Sequence, residues 1–416
     1  MVIWGTDRPR RRRLILVLAA AVSVFPLAGL INGAPPPVTD YERELTRMQK
    51  DLADRSGRPS EFLRLLYRRA ALTGSAADVR AAEAGIGQAL QRIGPVEDVM
   101  LVKAALDLKL HRLSEAARAL AALSSGEDSV PIMLLRGDLA LQEGRYEEAR
   151  RGYARVADRG ARWDTLARQA YLESRIGDLA LADRLYAEAE DELSAKEMRT
   201  YAWVRLQRGL LSLRQGRHDE AMVHYRRAER AYSGYWLVDE HIAELLGAQR
   251  KFDEALARYR DVIARAPRPE LHQALGDFYV FMGRPEQAAP WHDQALARYL
   301  ESAERGDVHY YHHLASFYAD VRRNGAAAVK WARRDAELRP NAATRETLAW
   351  ALYRESRYAE ALAVIRDALA SGVNDAHLFV HAAMIHLAAG RTDDGRTFLA
   401  RAAALNPRYE SFHVHR

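Results

Sequence analysis

The sequence predicts an all-α fold: an α-solenoid of about ten antiparallel helix pairs behind an N-terminal transmembrane or signal helix. Three observations lead there. One thirteen-residue phrase recurs along the chain, its copies stand a near-constant distance apart, and an uncharged run follows directly on a cluster of arginines near the N-terminus.

The chain opens with a basic end, residues 1–13. Arg8, Arg10, Arg11, Arg12 and Arg13 against Asp7 supply +4 of the formal net charge of +6, and the rest of the chain holds 57 Lys+Arg against 55 Asp+Glu. That balance is no electrostatic footprint for nucleic acid. Residues 14–31 carry no charge, and as a helix they would reach about 27 Å, close to the hydrocarbon thickness of a bilayer. Arginines stay on the cytoplasmic side, so residues 32–416 are expected on the opposite face, in the periplasm of a bacterial cell with a single pass through the inner membrane. An uncleaved anchor is the first expectation, because the apolar run is long for a signal peptide and "LINGA" offers a poor cleavage site; secretion to the periplasm after signal cleavage is the alternative. Residues 32–40, with three consecutive prolines, read as a stiff spacer. Thr39 and Glu42 form a capping box, and Tyr41, Leu45, Met48 and Leu52 share one face of a capping helix with its linker over 41–62.

The repeated phrase is "GRYEEARRGYARV" from Gly144, "GRHDEAMVHYRRA" from Gly216 and "RKFDEALARYRDV" from Arg250. Around Ala149 lie Gly137 upstream, Gly144 at the turn, Tyr153 one helical turn downstream and Val156 beyond it. The same frame recurs around Ala182, Ala221, Ala255 and Ala288, with weaker copies around Ala82, Ala116, Ala328, Ala361 and Gly395. Units so defined begin at 63, 97, 130, 163, 202, 236, 269, 309, 342 and 376, and seven of the nine intervals are 33 or 34. Each unit holds two helical runs joined by a short turn. A single pair cannot bury its apolar face, so stacked pairs must share one core over 63–406, followed by a tail at 407–416. The intervals of 39 and 40 require extra residues near "DELSAKEMRTYAW" and "YLESAERGDVHYY", most simply in a longer second helix. "NPRYESFHVHR" is expected to fold back over the last unit, with Phe412 and Val414 inserted.

The period, with a small residue at position 8, Ala at 20, an aromatic at 24, Ala at 27 and Pro at 32, resembles the tetratricopeptide repeat. The resemblance is strong over 130–295 and 342–370. It is weaker over 63–129, where glycine is missing from the turn, and over 309–341, where Asp335 stands at the usual Ala. It implies a superhelix that works as a protein–protein interaction scaffold, without catalysis and without cofactor. In that family positions 2, 5, 6, 9 and 12 of the first helix face the ligand. Carried onto this chain, they select Glu240, His241, Glu244, Asp277, Tyr310, His313, Phe317, Trp350, Tyr353, His377, His381 and Met384.

The sequence holds no cysteine, which excludes disulfides, thiol nucleophiles and Cys-ligated zinc. No phosphate-cradling loop, HExxH or nucleophile elbow occurs. Ten of the fourteen histidines lie from His272 onward. His377 and His381, at i and i+4, and His413 and His415, as His-x-His, are the residue pairs able to chelate zinc or copper, although neither has a third ligand at firm spacing. The sequence therefore supports an exported, membrane-anchored scaffold that binds an extended segment of a partner protein in its concave groove. A metal-binding envelope protein using the C-terminal histidines is the alternative.

Overall fold

A computed structural model of the chain describes residues 38–54, 58–123, 129–160 and 162–413. The expected basic end, apolar segment and first part of the spacer lie outside the described residues, as do Val414 and His415. The chain divides into Met1–Val38 and Thr39–Arg416, and every described helix belongs to the second. None of these helices is long and apolar enough to cross a membrane.

Helix α1 (Asp40–Ala53) starts at the capping box: Glu42 N donates to Thr39 Oγ1 at 3.2 Å, and Thr39 N donates to Glu42 Oε2 at 2.8 Å. Ten hairpins follow: α2 (Pro59–Thr73) with α3 (Ala76–Ile93), α4 (Glu97–Lys109) with α5 (Leu113–Ala121), α6 (Val130–Gln142) with α7 (Tyr146–Ala157), α8 (Trp163–Ile176) with α9 (Leu179–Asp191), α10 (Met198–Arg214) with α11 (His218–Ala231), α12 (Trp236–Ala248) with α13 (Phe252–Arg265), α14 (Pro269–Phe281) with α15 (Pro285–Glu304), α16 (Tyr311–Ser316) with α17 (Gly325–Leu338), α18 (Ala342–Arg354) with α19 (Tyr358–Ala370), and α20 (Ala376–Ala388) with α21 (Thr392–Leu405). Helix α16 continues as a π-helical turn, Phe317–Val321. The interval of 40 is absorbed by α15, which has 20 residues. The interval of 39 is not taken up by a longer second helix; it becomes the 192–197 loop and the lengthened first helix α10 of the next unit, with 17 residues.

The recurrent letters make a packing layer. Ala116, Ala149, Ala182, Ala221, Ala255, Ala328 and Ala361 are each 0 % exposed, as are Tyr153, Tyr225 and Tyr259. The tyrosine ring fills the space over the glycine of its own hairpin: a β-carbon at Gly137 would lie 2.4 Å from Tyr153 Cε1, and one at Gly209 would lie 2.2 Å from Tyr225 Cε1. Small and large residues are thus specified together, since volume added on one side must be removed from the other. The hairpin turns place one residue at positive φ. Glycine supplies it at 74, 144, 177, 216, 283 and 390, and His111, Arg250, Arg323 and Ser356 adopt the same conformation. The first hairpin therefore does turn on a glycine, Gly74, at φ 60°. Asp335, in place of the usual alanine, is buried and held by Arg339, which donates to its two oxygens at 2.8 and 2.7 Å.

The hairpin turns of the first five units receive the loops that end the last five. Arg268 Nη1 donates to Thr73 O at 3.0 Å, Arg112 pairs with Asp307 at 3.8 Å, Asn341 Nδ2 donates to Gln142 O at 2.8 Å, and Asn374 N donates to Ile176 O at 3.0 Å. A β-carbon at Gly216 would meet Asn406 Oδ1 at 2.7 Å. Partners in two of these contacts are 195 and 199 residues apart, or roughly six repeats of 33–34 residues. One turn of the superhelix therefore rests on the next. Helix α1 joins the same seam, with Asp40 N donating to Ser233 Oγ at 3.0 Å and Tyr41 N to Ser233 O at 3.1 Å. Rather than only covering the end of the array, this helix clamps a loop in its middle.

Burial also fixes a pH dependence. Burial, reinforced by Arg208 and Arg205, depresses His224 to about 4; burial and then Arg339 depress His111 to about 3. Both imidazoles are neutral in the fold and bind protons once it opens, so their contribution is complete above about pH 6.5 and falls as pH drops towards 4 and 3. For His224, which is buried, the loss at pH 5 should be about 1–2 kcal/mol. Urea denaturation at pH 7 and pH 5 checks this. The midpoint should fall on acidification and fall less in His224→Gln; equal midpoints at the two pH values would contradict it.

Candidate functional site: an imidazole and aromatic cluster on the last first helices

The residues selected from the sequence separate into three groups in the structure. Glu240, His241 and Glu244 are buried at 2, 4 and 0 % exposure. Glu244 Oε2 meets His241 Nδ1 at 2.8 Å, and its Oε1 meets His413 Nδ1 from the C-terminal tail. Burial alone would raise this carboxyl, but His413 and His241 reverse the effect and hold it well below the usual range. All three are core residues, and Glu244 lies beneath the tail.

The second group is also largely core. Phe317 is 0 % exposed, on the same face of the helix as the buried Leu314, and Tyr310 is buried against Tyr299 at a ring separation of 5.0 Å. His313 stacks on Tyr299 at 5.4 Å, and Asp277 receives His292 Nε2 at 2.9 Å. Phe317 and Tyr310 are thereby corrected from ligand-facing to core positions.

The third group converges. Tyr353 stacks on Trp350 at 4.7 Å and 20°, and Trp350 stacks on His381 at 4.1 Å and 7°. Trp350 Nε1 donates to Asp320 Oδ1 at 2.9 Å, and Asp320 lies in the π turn. Trp350, Tyr353 and His377 are half-buried, and Met384 is exposed one turn beyond His381. Stacked rings with their remaining faces open offer large contact area at low conformational cost.

Beneath this column lies a residue the sequence reading passed over. Glu346, on α18, points Oε1 at His377 Nδ1, 2.9 Å away, and at His381 Nδ1, 3.1 Å away. It occupies position 5 of the unit that begins at 342, so the positional rule that selected Trp350 and Tyr353 selects it as well. Burial would raise its carboxyl, but His377 and His381 hold it well below the ordinary value. Burial and the neighbouring His377 lower His381 in turn. Among the described residues this is the one group of three whose donor atoms converge as metal ligands would, all within 4.8 Å of one another. The other sequence candidates do not join it: His413 is engaged with Glu244, and His415 lies outside the described residues.

The protein-family comparison agrees with the repeat frame. The tetratricopeptide repeat model matches residues 101–164 and 346–410. Those two segments carry tetratricopeptide repeats. The second match contains Glu346, Trp350, Tyr353, His377, His381 and Met384, so the whole cluster stands on tetratricopeptide-repeat helices. No curated protein matches the chain. Solved structures similar to it include a tetratricopeptide repeat protein from Parabacteroides merdae, 19% identical over 58% of this chain and 93% of that one with a TM-score of 0.36. The Cut9–Hcn1 hetero-tetramer of APC/C is 16% identical over 88% and 80% with a TM-score of 0.42, and yeast Tom70 is 13% identical over 88% of each chain with a TM-score of 0.42.

Proposed function

We propose that the repeat superhelix is a non-catalytic scaffold that binds an extended segment of a partner protein along its first helices. The open stack of Tyr353, Trp350 and His381, continued by Met384, carries this reading. Aromatic and thioether groups on a rigid helical frame lose little freedom on docking, and the ordering entropy falls mainly on the incoming segment. The uncharged run at 14–31 behind its arginines supports a membrane anchor that places residues 32–416 in the periplasm. Capture of partners from detergent-solubilised membranes, by the wild type and by a Trp350→Ala, Tyr353→Ala variant, tests the binding face. The variant should lose at least one partner. Identical partner sets would remove this surface from the account. A tag at the C-terminus should resist protease in intact spheroplasts if the chain faces the cytoplasm and be cleaved if it faces the periplasm; the second result is expected.

A further inference from the structure

The geometry points to a divalent transition-metal site of the zinc class formed by Glu346, His377 and His381. Helices α18 and α20 are the first helices of consecutive repeats, and the i, i+4 spacing of the histidines puts both imidazoles on the face of α20 that meets Glu346. Both Nδ1 atoms approach the same carboxylate oxygen, at 2.9 and 3.1 Å, yet that oxygen receives no hydrogen bond of acceptable alignment, and neither does His381 Nδ1. Two buried polar atoms at contact distance, without a proton shared along the line between them, are a costly arrangement. A cation between the donors resolves it.

The spacing suits that ion. Ligands about 2.0–2.2 Å from a tetrahedral zinc lie about 3.3–3.6 Å apart, so the two carboxylate–imidazole separations need open by only a few tenths of an ångström, and the imidazole pair already lies within 4.8 Å. Two imidazoles and one carboxylate are ligands for zinc, and also for copper and nickel, rather than for magnesium or calcium. Three protein ligands leave the fourth position to water or to a donor from a bound partner, and the His377 side chain, 36 % exposed, opens the site to solvent.

The supporting shell is rigid. Asp375 caps α20 by accepting from His377 N at 2.9 Å and Leu378 N at 3.1 Å, and Arg214 of the adjacent superhelical turn holds Asp375 at 2.6 Å. Trp350 fixes the His381 ring by stacking. Other charges reach the cluster: Arg175 acts on Asp375 and Glu346, and Asp320 acts on His381. Orientation of the ligands therefore does not wait for the metal.

The test uses the purified full-length chain, titrated with zinc chloride and, separately, with cobalt chloride as a spectroscopic probe. We expect one saturable zinc ion, a rise in melting temperature with zinc, and the visible absorption of four- or five-coordinate Co(II). Glu346→Gln and His377→Ala should each weaken binding by about tenfold or more and abolish the absorption, with far-UV circular dichroism unchanged. Glu346→Gln keeps the side-chain volume, and His377 is the most exposed of the three, so at least one variant stays folded. Wild-type binding no tighter than that of a His377→Ala, His381→Ala variant, or Co(II) spectra indifferent to all three substitutions, overturns the site. Neither measurement involves a protein partner, so its outcome is independent of whether the scaffold reading holds.

Discussion

Tyr225→Ala is expected to destabilise the superhelix by about 3–5 kcal/mol, the range for removing a large buried ring. The ring is 0 % exposed, covers Gly209 of its own hairpin and stacks on His241 of the next at 5.9 Å and 25°. Its loss would empty the junction between two consecutive layers within the largest contiguous core cluster. The Tyr225 hydroxyl has no hydrogen-bond partner among the described residues, so Tyr225→Phe should change stability by less than about 1 kcal/mol. Urea denaturation of the two variants, read by far-UV circular dichroism, checks the contrast. Because repeat arrays can lose cooperativity, hydrogen exchange of α10–α13 is the companion reading, and it should show the loss concentrated there. Equal stability of the alanine and phenylalanine variants would mean that the ring does not form the interlayer contact described.

Removal of residues 407–416 is the second large effect. The tail leaves the last repeat and returns to α12 and α14, where Phe412 is 5 % exposed and its ring lies 5.0 Å from Phe278 and 5.2 Å from Phe281. A β-carbon at Gly247 would come within 3.0 Å of Phe412 Cδ1, so the groove on α12 is cut to admit this ring. The next residue, His413, supplies the contact that neutralises the fully buried Glu244. Deletion would expose an apolar slot and strip one partner from a buried carboxylate, each a change of about 3–5 kcal/mol in comparable cores. The melting temperature should fall by several degrees. Phe412→Ala and His413→Ala should each reproduce part of the fall, and because the residues are adjacent their effects should not add. A truncated chain that melts with the full one would show the tail to be unattached.

The local design was legible because each layer repeats it. Ala149, Ala221 and Ala255, with Tyr153, Tyr225 and Tyr259, stand in one recurrent frame, and that frame is the core. Contacts between superhelical turns were not legible. Asn341 with Gln142, and Asn374 with Ile176, join positions that a 34-residue period treats as unrelated, because the pitch emerges only when small rotations accumulate over about six units. Phe317 was misplaced because the ligand-facing and core positions of a first helix are only one residue apart in phase, and here position 9 falls on the face that carries the buried Leu314. Glu346 could have been found: the positional rule points to it, but a glutamate on an amphipathic helix looks like any solvated charge until the next repeat brings two imidazoles to it. The tail was readable as a lid from Phe412, whereas its docking place, six repeats into the array, and the pairing of His413 with Glu244 depend on the superhelical pitch.

Contact between superhelical turns is what holds the first helices in one rigid frame, and the absence of native cysteine makes it directly measurable. A β-carbon at position 144 would lie 3.4 Å from the β-carbon of Asn341, close to the about 3.5–4.5 Å that a disulfide spans, and 2.9 Å from Pro340 O, so the loop must give by a few tenths of an ångström to admit it. In the Gly144→Cys, Asn341→Cys variant, mild oxidation should form an intramolecular disulfide in most molecules, while a Gly144→Cys, Arg408→Cys pair, placed at different steps of the seam, should stay reduced. Equal yields from the two pairs would contradict the superhelix.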